Sequence, residues 1–215
     1  MACAGHRGRR YLDLVALPPF AVTFDYRCPF ARTVHEHVVL AQQDGAGFDV
    51  TFAPFSLDQP HVEPGGPDAW EDPARIPGQT GTLVGLAVRD TQPEHFLAVH
   101  LGIFTARHDA MLDLKDAEAV ARVVDAAGGD GQAALAEVQS GRPLATLAEQ
   151  HQRLVKEHEV FGVPTFIVGE HAVFIRLVDR AGGDRAIAGA TIERVLETIT
   201  SWPSLNELKH TRIPR

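Results

Sequence analysis

Cys28 and Pro29 stand where a short apolar run, FAVTFDYRCPFA over residues 20–31, gives way to helical spacing. A sulfur in the first turn of a helix meets N–H groups that lack intrahelical partners, at the positive end of the dipole, so this placement predicts a thiol inclined to ionise. Pro29 suits the first helical position, where the N–H it lacks has no partner anyway. Arg27 favours the thiolate further and Asp25 partly opposes it. A second proline motif, Phe161-Gly162-Val163-Pro164-Thr165-Phe166, opens an apolar run late in the chain. The cis form of an X-Pro bond costs only about 0.5–1 kcal/mol, against roughly 3–4 for other residues, so Pro164 is the residue type able to hold a cis bend. A trans proline opening an edge strand is the alternative.

The residue three positions after Cys28 is Ala31, so no disulfide can close across residues 28–31. A lone thiolate still attacks a disulfide, a peroxide or an electrophilic carbon, but a thiol from another molecule must then release the product. This leads to the expectation of a small-thiol cosubstrate. An unresolved sulfenic acid at Cys28 would be rescued by that thiol or drift to sulfinic acid. Cys3 is the only other cysteine. It could resolve Cys28 or be an incidental exposed thiol. Tyr26 and Phe30 are read as walls of the site, with a core role for Phe30 nearly as good a reading. Thr165 offers a hydroxyl, or is simply a strand residue.

Other chemistries lack a pattern. The chain has eleven histidines, but His35 and His37 point to different sides of a helix, and His95/His100 and His151/His158 have no sulfur or carboxylate partner at ligand spacing, so no metal is expected. Gly78, Gly81 and Gly85 follow no predicted strand, which argues against a dinucleotide loop. Neither a Ser-His-Asp order nor a carboxylate pair can be singled out.

The 215 residues are 45% hydrophobic and carry 20 basic against 28 acidic side chains, a formal charge of −8. That balance argues against a nucleic-acid or anionic-membrane surface. No apolar stretch approaches the ~18 residues of a membrane span. Arg7, Arg9 and Arg10 precede an apolar stretch that Asp13 interrupts and Pro18-Pro19 ends, so it is not read as a secretory signal. A cytoplasmic, reducing setting is therefore expected, where an isolated cysteine is a nucleophile or an inert core residue rather than half of a structural disulfide.

Residues 20–24 read as a buried strand, 29–42 as a helix through Val34, Val38 and Ala41, and 48–55 as a second strand, making a βαβ unit. Residues 59–77 are rich in Pro, Gly and Asp and read as an irregular connection. From 78 to 160 the pattern is that of several short helices, broken near Pro93, residues 109–113, 128–131 and 141–143, with a helix start near Asp113, Asp116 and Glu118. A short-loop hairpin over residues 165–175 and a helix through Ile192, Val195, Leu196 and Ile199 follow.

The Cys28-Pro29 helix start combined with Val163-Pro164 at a strand opening resembles the active site of the thioredoxin fold, in the branch that contains DsbA, glutathione-dependent isomerases and kappa-class transferases. The resemblance implies an α/β fold: a thioredoxin-like core of a central mixed sheet flanked by helices, discontinuous over residues 15–60 and 150–202. An all-helical insertion over 78–150 and a tail over 203–215 complete it. It implies that the backbone of Val163 and Pro164 pairs with a bound thiol or peptide beside Cys28. The segment Asn206-Glu207-Leu208-Lys209-His210-Thr211-Arg212 is similar to the tail of the actinobacterial mycothiol-dependent reductases. Those reductases carry the second cysteine absent here. A solvated basic tail is the alternative.

The expectation is a DsbA-family oxidoreductase with Cys28 as single nucleophile, no tightly bound cofactor, and mycothiol or glutathione as cosubstrate acting on a small disulfide or electrophile. Two readings stand beside it: a thiol transferase or isomerase, and a binding protein that keeps the fold without the chemistry. The helical stripes could serve a homodimer as readily as a cleft.

Overall fold

The structure is a computed structural model that describes residues 17–45 and 47–212. Four strands form one sheet in the order β2-β1-β3-β4. β1 (Phe20–Phe24) and β3 (Thr165–Val168) occupy the interior of the sheet, and their nearly unbroken apolar runs match burial on both faces. β1 runs parallel to β2 (Val50–Pro54), pairing Phe20 with Val50 and Phe24 with Pro54. It runs antiparallel to β3, pairing Val22 with Phe166. β4 (His171–Phe174) closes the other edge, joined to β3 by a tight turn at Gly169, whose φ is +58°. Pro54 is tolerated because β2 is an edge strand.

Between β1 and β2 the chain forms α1 (Pro29–Gln43), which ends where Asp44 caps and Gly45 turns with φ +76°. Val34, Val38 and Ala41, spaced to share one face, are fully buried. Each large apolar side chain so placed contributes about 1.5–3 kcal/mol of burial. α7 (Arg185–Ser201) packs along α1 through Ala188, Ile192, Leu196 and Ile199.

The segment before α7 and between the two halves of the sheet is helical: α2 (Thr80–Thr91), α3 (Pro93–His108), α4 (Ala117–Ala126), α5 (Gly131–Gln139) and α6 (Arg142–His158). The breaks fall where Pro, Gly and Asp cluster. Asp116, Asp130 and Asp184 cap α4, α5 and α7, each accepting from a backbone N–H three residues on, worth about 1 kcal/mol apiece. Asp113, read as part of the α4 start, instead closes the preceding turn by accepting from Lys115 N–H.

Three boundaries differ from expectation. Phe48 lies before β2 and packs edge-on against Phe20, with centroids 6.1 Å apart. Residues 59–77 include two short 3-10 turns, Gln59–His61 and Ile76–Gln79. Residue 150 falls inside α6, which touches β2, so that helix belongs to insertion and core alike.

Candidate active site

Cys28 is the N-cap of α1, with φ −85° and ψ 119°, and its Sγ accepts from Ala31 N–H at 3.4 Å. The same sulfur donates to the carbonyl oxygen of Val163 at 3.4 Å. The Val163–Pro164 peptide is cis. The beginning of α1 and the opening of β3 therefore meet at one sulfur, across a separation of 135 residues. Cys28 is 8% exposed.

The loop before β3 is held from three sides. Thr23 Oγ1, on β1, donates to Gly162 O at 3.3 Å and accepts from Thr165 N–H at 2.8 Å. Thr165 Oγ1 donates to Gly162 O at 2.8 Å, and Ile175 N–H, just past β4, donates to Pro164 O at 3.1 Å. The hydroxyl of Thr165 is thus spent inside the loop and is buried, which corrects its reading as a group offered to a ligand. Thr23, not singled out from the sequence, is the side chain that joins the two motifs. A threonine in a buried strand carries no mark of this role.

The charge around the sulfur also differs from expectation. Burial pushes the Cys28 thiol up, the Ala31 and Phe30 N–H groups partly offset that, and the Asp25 carboxylate adds to the rise. Arg27 does not serve the sulfur. Its guanidinium donates to Asp25 through Nε and Nη2 (2.9 and 2.6 Å) and to both Asp58 oxygens through Nη1 (2.9 and 2.8 Å). Asp25, itself buried, also accepts from the backbone N–H groups of Arg27 and Leu57. The charge is consumed by two carboxylates, one of them 31 residues away in a loop, so the helix terminus is left as the main influence favouring thiolate.

Tyr26 is not a wall of the site. It is fully buried, and its hydroxyl donates to His100 Nδ1 at 2.7 Å. His100 Nε2 lies 2.8 Å from His35 Nδ1, and His35 Nε2 lies 3.1 Å from Thr23 O. Because the carbonyl can only accept, the proton positions along this chain follow: His35 donates to Thr23 O, His100 to His35, and Tyr26 to His100, with both imidazoles neutral. Burial lowers His35 to about 4 and His100 well below its ordinary value, and it raises Tyr26, so all three stay uncharged. Gly85 permits this arrangement, since a Cβ there would lie 2.4 Å from the Tyr26 hydroxyl. Metal-ligand spacing gives no sign of this network, whose histidines are buried on α1 and α3.

Phe30, two residues after Cys28, is 37% exposed. Phe161, 72% exposed, packs on Phe174 with centroids 5.3 Å apart. The Arg176 guanidinium sits 5.2 Å from the Phe30 ring centre and 5.9 Å from that of Phe174. Phe161, Phe174 and Arg176 were not anticipated. Phe161 stands out only as part of its motif, and Phe174 ends β4 while Arg176 lies just past it, where the strand's alternation gives no chemical signal.

Among the described residues no group of three or more His, Cys, Asp or Glu could hold a metal ion, and no helix is long and apolar enough to cross a membrane. Cys3 lies outside the described residues.

With this geometry in hand, the fold is thioredoxin-like, of the DsbA-like kind. Three solved structures illustrate it. The cytosolic disulfide reductase DsbM from Pseudomonas aeruginosa, with GSH, is 18% identical, has a TM-score of 0.56 and covers 83% of this chain and 99% of its own. DsbA from Pseudomonas aeruginosa is 18% identical, with a TM-score of 0.52 and coverage of 87% and 86%. A 2-hydroxychromene-2-carboxylate isomerase is 17% identical, with a TM-score of 0.56 and coverage of 85% and 98%. No protein-family model and no curated protein sequence matches the chain.

Proposed function

We propose that this protein is a thiol-dependent oxidoreductase that works through Cys28 alone, with mycothiol or glutathione supplying the second sulfur in a cytoplasmic setting. The observation that carries the reading is the sulfur of Cys28 held between the Ala31 N–H and the Val163 carbonyl. In the resting state the Cys28 thiol keeps its proton and donates it in a hydrogen bond to Val163 O. On reaction the proton is lost, the Ala31 and Phe30 N–H groups stabilise the thiolate, and sulfur attacks one sulfur of a disulfide R–S–S–R. The S–S bond breaks, Cys28–S–S–R forms, and the leaving R–S⁻ takes up a proton. A second small thiol then attacks the mixed disulfide, restoring the Cys28 thiol and releasing a new disulfide. The likeness to DsbM with GSH supports a small thiol, and the 206–212 segment supports mycothiol.

Intact mass measurement after incubation with oxidised glutathione or mycothiol disulfide tests this. Wild type is expected to gain a thiol adduct that peptide mapping places at Cys28, and Cys28→Ser is expected to lose that adduct whatever happens at Cys3. An unmodified wild type at pH 8 would refute the reading. Burial of the sulfur and the pairing of Arg27 favour a second reading, a binding protein that retains the fold; tight ligand binding without turnover would select it. Formation of a thioether instead of a disulfide from an aromatic electrophile would select the transferase alternative.

A further inference from the structure

We propose that Arg176 is the specificity-determining residue of this site and selects small thiols and disulfides that carry a carboxylate, such as glutathione, over neutral ones, such as mycothiol; the proposal rests on the Cys28 reading above and decides between the two cosubstrates named there. Arg176 directly follows Ile175, whose N–H is bonded to Pro164 O, so its backbone is fixed to the cis-proline loop. Its guanidinium lies over Phe30, two residues beyond the reactive sulfur. The guanidinium is thus positioned by both motifs that build the site.

Three features make it a recognition group. First, Arg176 is exposed, and no carboxylate among the described residues lies within 4.0 Å of it, whereas Arg27, Arg32, Arg89, Arg142 and Arg180 all have such partners. The acidic group nearest in influence, Glu207, is paired with Lys209 at 2.5 Å and feels Arg176 only weakly. Second, two ring faces restrict the guanidinium, leaving its planar edge of donors for a carboxylate, a pairing that suits Arg geometry. Third, the loop that carries it is tied down further along. Glu36 accepts from Arg180 Nε at 2.6 Å and Gly182 N–H at 3.0 Å, and His37 bonds Asp179 O at 3.0 Å. A site so held needs little ordering when it binds. The exposed rings of Phe30 and Phe161, with the half-buried Phe174 against Phe161, supply an apolar surface for the body of the ligand.

The test uses three disulfide probes on the full chain: 5,5′-dithiobis(2-nitrobenzoate), aromatic and dianionic; 2,2′-dithiodipyridine, aromatic and neutral; and cystamine, cationic. In each, Cys28 forms a mixed disulfide and one thiolate leaves; the rate is that of the adduct mapped to Cys28 by peptide mass, so that Cys3 does not contribute. The readout is the ratio of the anionic to the neutral rate. Arg176→Gln is expected to lower that ratio about fivefold, the scale of one exposed ion pair, and to raise the relative rate of cystamine. Arg176→Lys should keep most of the ratio, and Arg153→Gln, removing a cation on the exposed face of α6, should leave it within twofold. A ratio changed less than twofold by Arg176→Gln, or changed equally by Arg153→Gln, overturns the proposal while leaving the Cys28 reading intact. Failure of all three probes to modify wild-type Cys28 overturns both.

Discussion

Acidification is the perturbation to which the buried Tyr26–His100–His35 chain responds. His35 is neutral in the folded state with a value near 4, against 6.5 when unfolded. Above pH 6.5 neither state binds a proton there and the full stability is present. As pH falls below 6.5 the unfolded chain takes up a proton that the folded chain refuses, so stability declines until about pH 4. Between pH 7.5 and 4.5 this one imidazole costs about 2.5 kcal/mol. His100 is lowered in the same direction, and so is His151, which stacks against Phe55 and accepts from Ser56 N–H. The His35 figure alone is a large part of a typical 5–15 kcal/mol, and the other two imidazoles act in the same direction. Urea denaturation at pH 7.5, 6.5, 5.5 and 4.5, followed by fluorescence of buried Trp70, measures it, and the limb from pH 7.5 to 5.5 lies above the range where carboxylates of pKa ~4 titrate. A loss under 0.5 kcal/mol by pH 4.5 would mean that the imidazoles are not held neutral, and the proton assignment would fall. The Tyr26 hydroxyl gives the opposite limb, since its raised value makes stability fall as pH rises past 10.

Gly85→Ala should cost 2 kcal/mol or more, on the scale of about 1–3 for overpacking a core, because the new methyl meets the Tyr26 hydroxyl, and thermal unfolding would register it. Asp25→Asn should lower the pKa of Cys28, by removing a carboxylate that raises it and releasing the Arg27 guanidinium. In wild type the iodoacetamide alkylation rate should still be rising at pH 9, and in the variant it should level off earlier; an inflection that stays put would contradict the charge assignment. Glu159→Gly at the left-handed C-cap of α6, φ +53°, should raise stability by roughly 1 kcal/mol in denaturant titrations.

What the sequence made legible was local. β1 and β3 are short apolar runs with no polar alternation, and α1 shows its face through Val34, Val38 and Ala41, so the strands and helix that deliver Cys28 and Val163 could be placed. The proline motifs then brought distant segments together. What stayed hidden depended on which way a side chain turns where periodicity stops. Tyr26 follows the end of β1, and neither helical nor strand spacing says that it points inward to His100. Arg27 was judged by its neighbour Cys28, yet Asp58 reaches it from a loop, and a pairing over 31 residues leaves no trace in spacing. The sign of the Cys28 shift depends on burial, which no motif reports.

The central position of β1 has a consequence for biosynthesis. Its parallel partner β2 is made soon after it, but the antiparallel partner β3 emerges only when three-quarters of the polypeptide has been translated. Until then one flank of β1 lacks its hydrogen-bonding neighbour, Thr23 has no loop to grip, and the cysteine has no carbonyl opposite it. A growing chain on the ribosome therefore carries an unshielded sulfur, and contacts of such long range are the slow ones to form. The contact between Cys28 and Val163 therefore forms late, with the docking of the β3–β4 hairpin.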